Sequence, residues 1–141
     1  MQIIPYLFFN GNCAEALIFY EQVLGATIED KMLGADMPPD PEFGVPEDKK
    51  NWIMHAKLKV GDDTIMASDN LMETSAQMDG ASVMLNFATA NEAKAIYDKL
   101  ADGADITMPW AATFWSAGFG TLRDKFGVRW MIGCDELPAE A

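Results

Sequence analysis

His55 is the only histidine in this chain, so any imidazole chemistry must pass through it. A neutral imidazole in a strand can act as a general base or an orienting hydrogen-bond partner, and it can equally be hydrogen-bonded scaffold. A second group of interest is aromatic. Trp110, Phe114 and Trp115 fall within six residues, dense enough to cap a pocket, make a subunit contact or fill a core. Arg123 and Arg129 flank a turn. Either can grip an anionic ligand group in a bidentate fork, or pair with Asp124 or Asp135. The two cysteines, Cys13 and Cys134, have neither metal-ligand nor redox spacing. They read as reduced thiols of a cytoplasmic protein.

Alternation and turn chemistry place these residues on elements. Residues 3–9 form an apolar, aromatic run that reads as a strand, and Pro5 within it points to a sheet edge. A helix follows, with Asn12 as N-cap and Glu15 completing a capping box. Ala16, Phe19, Tyr20 and Val23 make its apolar stripe, and Gly25 stops it. Residues 26–32 continue as a strand. Residues 33–51 carry four prolines (Pro38, Pro39, Pro41 and Pro46), which block helix and ladder alike, so a long loop is expected.

Strands are expected at 52–60 and 64–69, with Met54, Ala56, Leu58 and Val60 on one face. His55, Lys57 and Lys59 then lie on the other. A strand at 81–87, a helix at 91–101 and a strand from 104 come next. The chain closes with a hairpin of residues 119–123 and 128–133, turned by Asp124 and Gly127.

The order repeats. Phe9 matches Phe87, Glu15-Ala16 match Glu92-Ala93, and Gly25 matches Gly103, at an offset of 77 to 78 residues. Gly61 and Asp69 match Gly127 and Asp135 at an offset of 66, which puts the extra length of the first half in the proline-rich loop. An α+β fold of paired β-α-β-β-β modules is expected, in one domain of residues 1–141. The first module covers about 1–70 with loop 33–51, and the second about 80–135. A four-stranded unit with one helix leaves a sheet face uncovered, so two units must pair to complete a core or enclose a cavity.

Composition narrows the function classes. A formal charge of −12 argues against nucleic acid and anionic membrane surfaces, which bind clustered Lys and Arg. The first residues, MQIIPYLFF, lack the basic start and apolar core of a signal peptide. No apolar run approaches the ~20 residues of a membrane span.

Three blocks, PYLFFNGNCAEALIFY (5–20), IMHAKLKVGDDTIMASD (53–69) and FGTLRDKFGVRWMI (119–132), resemble the PhnB-like branch of the vicinal oxygen chelate superfamily. That superfamily includes glyoxalases, extradiol dioxygenases and bleomycin-resistance proteins. The resemblance implies curved mixed sheets forming a concave cup, and a homodimer that completes each cup. In active members a divalent ion is held on that face by His, Gln or Glu. Here the matched positions are Pro5, Ser82, Met131 and either Met66 or Ile65. None is a good ligand for a hard divalent ion, so no cofactor is expected. A methyltransferase label carried by this branch is not supported by Asn10-Gly11-Asn12, which lacks the spacing of a Gly-rich cofactor turn.

With Tyr6 and Phe8 taken to face the helices, Pro5 and Leu7 point into the cup. Ser82, Met84 and Asn86 point in from the second module, beside Met131 and Met66. The expected pocket comprises Leu7, His55, Met66, Ser68, Ser82, Met84, Asn86, Trp110, Phe114, Trp115, Arg123 and Met131. A flexible, Met-lined cup suits a small hydrophobic or amphipathic ligand. The rival reading is a metal-dependent lyase, dioxygenase or transferase using His55 with loop carboxylates such as Glu42 or Glu47. A third is an interaction protein whose own Met and Trp side chains fill the cup.

Overall fold

The computed structural model describes residues 1–40 and 42–140, so Pro41 of the proline-rich loop lies outside the described residues. The chain divides into two compact units, Met1–Ala76 and Gln77–Ala141. In the first, β1 (Tyr6–Phe9), α1 (Cys13–Leu24), β2 (Thr27–Leu33), β3 (Ile53–Val60) and β4 (Asp63–Asp69) form a sheet of order β1-β4-β3-β2. In the second, β5 (Val83–Phe87), α2 (Ala90–Leu100), β6 (Asp105–Ala111), β7 (Phe119–Arg123) and β8 (Arg129–Cys134) form a sheet of order β5-β8-β7-β6. β1 runs parallel to β4 and β5 to β8, while the remaining pairs are antiparallel. The α+β architecture of repeated β-α-β-β-β units is thus present.

Register refines the repeat. Tyr6 pairs with Met66 and Met84 with Met131, so these methionines are equivalent at an offset of 65. Phe9 pairs with Asp69, and Phe87 with Cys134. The counterpart of Asp69 is therefore Cys134, not Asp135, because the β7–β8 turn holds one residue more than the β3–β4 turn. Both prolines near strands sit where a missing N–H is tolerated. Pro5 precedes edge strand β1 and gives its carbonyl to the Met66 amide, whereas Pro109 lies in edge strand β6 within the register shift between Met108 and Ala111.

Each helix covers one sheet face. Under α1 lie Leu7, Phe9, Ala56, Leu58 and Ala67, against Ala16, Leu17 and Tyr20 of the helix; under α2 lie Leu122, Trp130 and Ile132, against Ala93, Tyr97 and Leu100. This inverts the expected facing of β1. Leu7 is 5% exposed in the helix-side core, while Phe8 is 59% exposed on the open face beside Tyr6. The sequence YLFF is apolar on both sides, so its alternation carries no facing signal, and the pairing with buried Ala67 decides it.

Two local expectations also change. Asn12 makes no side-chain cap to α1. Asp69 caps it instead, its Oδ1 accepting the amides of Gly11 at 2.7 Å and Cys13 at 3.0 Å. In α2 the N-cap does form: Thr89 Oγ1 accepts the Glu92 amide and donates to Glu92 Oε1, so the Glu92 carboxylate holds the cap hydroxyl. In β3, a register shift between the Met32–His55 and Leu33–Ile53 pairs buries Ile53 and turns Met54 out of the expected Ala56–Leu58 face.

Candidate functional site

The open face of the first sheet is built from alternate residues of three strands: Tyr6 and Phe8 from β1, His55 and Lys57 from β3, Met66 and Ser68 from β4. The Tyr6 hydroxyl and His55 Nδ1 are 3.1 Å apart, which places both side chains on this face. Lys57 is 3.5 Å from Glu29 at the sheet edge. At the end where β1 and β4 finish, a cavity of about 220 Å³ is lined by Phe8, Met54, Ser68, Asp69 and Asn70, with Leu71 and Met72 beyond the strand. Its remaining wall is the proline-rich loop, through Met37, Phe43, Gly44 and Val45.

That loop is fastened at its base. The Gly34 and Ala35 amides donate to the carbonyls of Trp52 and Lys50, both at 2.8 Å. Gly34 is required there, since a Cβ would lie 2.8 Å from the Lys49 carbonyl. On the opposite wall, Asn70 Oδ1 accepts the amides of Met72 and Glu73, shaping the turn that presents Leu71 and Met72.

In the second unit the equivalent strand ends frame a cavity of about 310 Å³. It is lined by Met84, Asn86, Trp115, Ser116, Phe119, Gly133, Cys134 and Asp135. Trp115 is held by the segment that carries it. The buried Ser116 hydroxyl lies 2.9 Å from the Gly118 carbonyl and 3.0 Å from that of Cys134, and the Ala117 amide donates to Glu136. Trp115 then meets Phe119 edge to face, with ring centroids 5.4 Å apart. Asp135 Oδ1 accepts a hydrogen bond from Asn86 Nδ2 at 2.8 Å.

The expected pocket residues separate accordingly. Ser68 lines the first cavity, and Met84, Asn86 and Trp115 line the second. His55, Met66 and Met131 lie on open faces outside both linings, and Ser82 precedes β5. Leu7 is withdrawn into the core. Trp110 is also corrected: it packs on Tyr97 of α2 at 5.4 Å and over Gly118, where a Cβ would lie 2.2 Å from its ring. Phe114 points outward, 90% exposed, touching Trp115. Arg123 donates to the carbonyls of Met78 and Gly127, and Arg129 to Asp79, neither to Asp124 nor Asp135 as expected. Arg123 thus fastens the segment before β5.

Sequence reasoning missed Phe8, Met54, Phe119 and the loop residues Met37 and Phe43. Only Phe119, the counterpart of His55 by register, was legible from strand parity. Burial raises the Cys13 thiol well above its ordinary value, with the Asp69 charge adding to the rise; burial also raises the Tyr97 phenol.

The ion positions implied by the resemblance can be tested on their donors. Met66 and Met131 lie beside Tyr6 and Met84, and Pro5 uses its carbonyl in the ladder. Two thioethers and the Ser82 hydroxyl do not suit a hard divalent cation. Among the described residues, no three His, Cys, Asp or Glu side chains come together as a metal cluster, and so His55, Glu42 and Glu47 do not form one. No described helix is long and apolar enough to cross a membrane.

The model of the Glyoxalase/Bleomycin resistance protein/Dioxygenase superfamily matches residues 2–132. Protein YjdN of Escherichia coli K12 is 35% identical over 138 residues, 94% of each chain. Among solved structures, protein PA1353 from Pseudomonas aeruginosa is 43% identical with a TM-score of 0.86, over 96% of this chain and 98% of that one. A Bacillus cereus PhnB protein, described as a putative 3-demethylubiquinone-9 3-methyltransferase, is 25% identical with a TM-score of 0.78, over 95% and 99%.

Proposed function

This chain belongs to the Glyoxalase/Bleomycin resistance protein/Dioxygenase superfamily, and from that premise we propose that it binds a small, largely apolar molecule on an open sheet face without a divalent ion. It is a PhnB-like member by its likeness to the PhnB and YjdN proteins. The observation carrying the reading is the first unit's cavity, where Phe8, Met37, Phe43, Met54, Leu71 and Met72 surround space beside Ser68 and Asn70. Flexible thioethers and two phenyl rings adapt to an irregular apolar shape, while a few polar groups orient it. The proline-rich loop forms one wall, so the ligand is held between loop and sheet.

Methyl transfer is not carried over from the Bacillus cereus protein. The turn at Asn10-Gly11-Asn12 is closed by Trp52, whose ring would lie 2.8 Å from a Cβ on Gly11. The reading includes a homodimer, supported by apolar side chains left exposed on the sheet faces, among them Phe8 and Met84. It also includes a cytoplasmic location, supported by two buried free thiols.

Native mass spectrometry of the untagged protein purified from cells is the test. A dimer without metal, which then binds apolar compounds and loses them in Met54→Asp, supports the reading. One divalent ion per subunit surviving buffer exchange overturns it.

A further inference from the structure

We propose that the second unit's cavity is a separate site for a small organic ammonium ion. Its lining pairs one carboxylate, Asp135, with two aromatic rings, Trp115 and Phe119, and the Met84 thioether. No Lys or Arg lines it. The paired bases of this unit point elsewhere: Lys94 pairs with Asp98, Lys125 with Asp102, Arg129 with Asp79, and Arg123 with backbone carbonyls. An anion would enter a site with a negative group and no compensating charge. A cation gains from both the carboxylate and the negative faces of the rings.

The polar groups are already arranged for such a guest. Asn86 Nδ2 bonds Oδ1 of Asp135, orienting the carboxylate and, among the described residues, leaving Oδ2 for a ligand N–H. The Ser116 hydroxyl is committed to backbone carbonyls and serves to hold Trp115 in place. At about 310 Å³ the cavity is near the lower end of ligand sites, the size of an aryl-alkyl amine. The first unit differs at the matched positions. Asn70 stands for Asp135 and spends its Oδ1 on two backbone amides. The carboxylate that does line that cavity, Asp69, has both oxygens engaged by the Gly11, Cys13 and Ile53 amides. The cation preference therefore belongs to the second unit alone and does not depend on the apolar site.

The experiment is an NMR titration of the full-length protein with phenethylammonium and, separately, with phenylacetate, following the Trp115 indole N–H assigned by Trp115→Phe. The amine should shift that resonance and the isosteric acid should not. Asp135→Asn keeps the acceptor for Asn86 and should weaken amine binding about fivefold, the worth of a partly exposed ion pair. Glu29→Gln, which removes a carboxylate of the other unit that lines neither cavity, should leave amine binding unchanged. Equal response to amine and acid, no response to either, or full amine affinity in a folded Asp135→Asn protein would overturn the proposal.

Discussion

The Asp69 carboxylate and the Cys13 amide, 56 residues apart in sequence, meet at 3.0 Å. The same carboxylate accepts the Gly11 amide, and its other oxygen accepts the Ile53 amide at 2.9 Å. One buried side chain at the end of β4 thereby closes the first turn of α1 and fixes the start of β3. The negative charge also sits at the helix N-terminus, where the backbone dipole favours it.

Replacing Asp69 with Ala leaves those three donors without this partner. The expected loss is about 3–5 kcal/mol, since each buried orphan donor costs about 1–3 kcal/mol before relaxation. Urea unfolding of the two proteins measures it. A loss below about 1 kcal/mol would show that other groups satisfy the turn.

Cys13 gives a pH dependence with a definite sign. The folded thiol keeps its proton above its ordinary value of 9.0, because burial and the Asp69 charge disfavour the thiolate. Below pH 9.0 both folded and unfolded chains hold the proton and no stability is lost. As pH rises past 9.0 the unfolded chain releases a proton that the folded one retains, so stability falls. Tyr97, raised by burial from 10.0, acts in the same direction. Thermal midpoints between pH 7 and 10.5 should decline less steeply in Cys13→Ala than in the parent, and parallel curves would refute this origin.

Gly118 tests the placement of Trp110. A Cβ there would lie 2.2 Å from the indole, and the indole is itself packed against Tyr97. Gly118→Ala should cost about 1–3 kcal/mol, the usual range for overpacking. The double variant Gly118→Ala, Trp110→Ala should show a coupling that offsets part of that cost. Strict additivity of the two changes, read from denaturant midpoints, would mean that the ring is not where the structure puts it.

Much of the fold was legible because its signals are local. The helical stripe of Ala16, Tyr20 and Val23, the prolines after residue 37, and the glycines at 25, 61, 103 and 127 act through neighbouring backbone. All four of these glycines have positive φ, as their turns require. The repeat was visible for the same reason, each half needing the same stops and starts. The site was less legible. Met84 and Asn86 came from clean alternation in β5, whereas Leu7 was misplaced because β1 is apolar on both sides. Arg123 was offered a ligand because its true acceptors are backbone carbonyls, which sequence does not advertise.

The sequence by itself determined two β-α-β-β-β units and the long loop that interrupts the first, and its family resemblance implied a set of matched positions poor in hard-metal ligands. These follow from period, turn chemistry and donor type, all properties of residues within a few positions of one another. Only the tertiary structure decided which face of β1 is open, that Asp69 replaces Asn12 as the helix cap, that Trp110 packs on Tyr97 and Gly118, and that Asp135 lines the second unit's cavity. Each of those depends on register between distant strands, and a one-residue change of pairing sends a side chain to the opposite face.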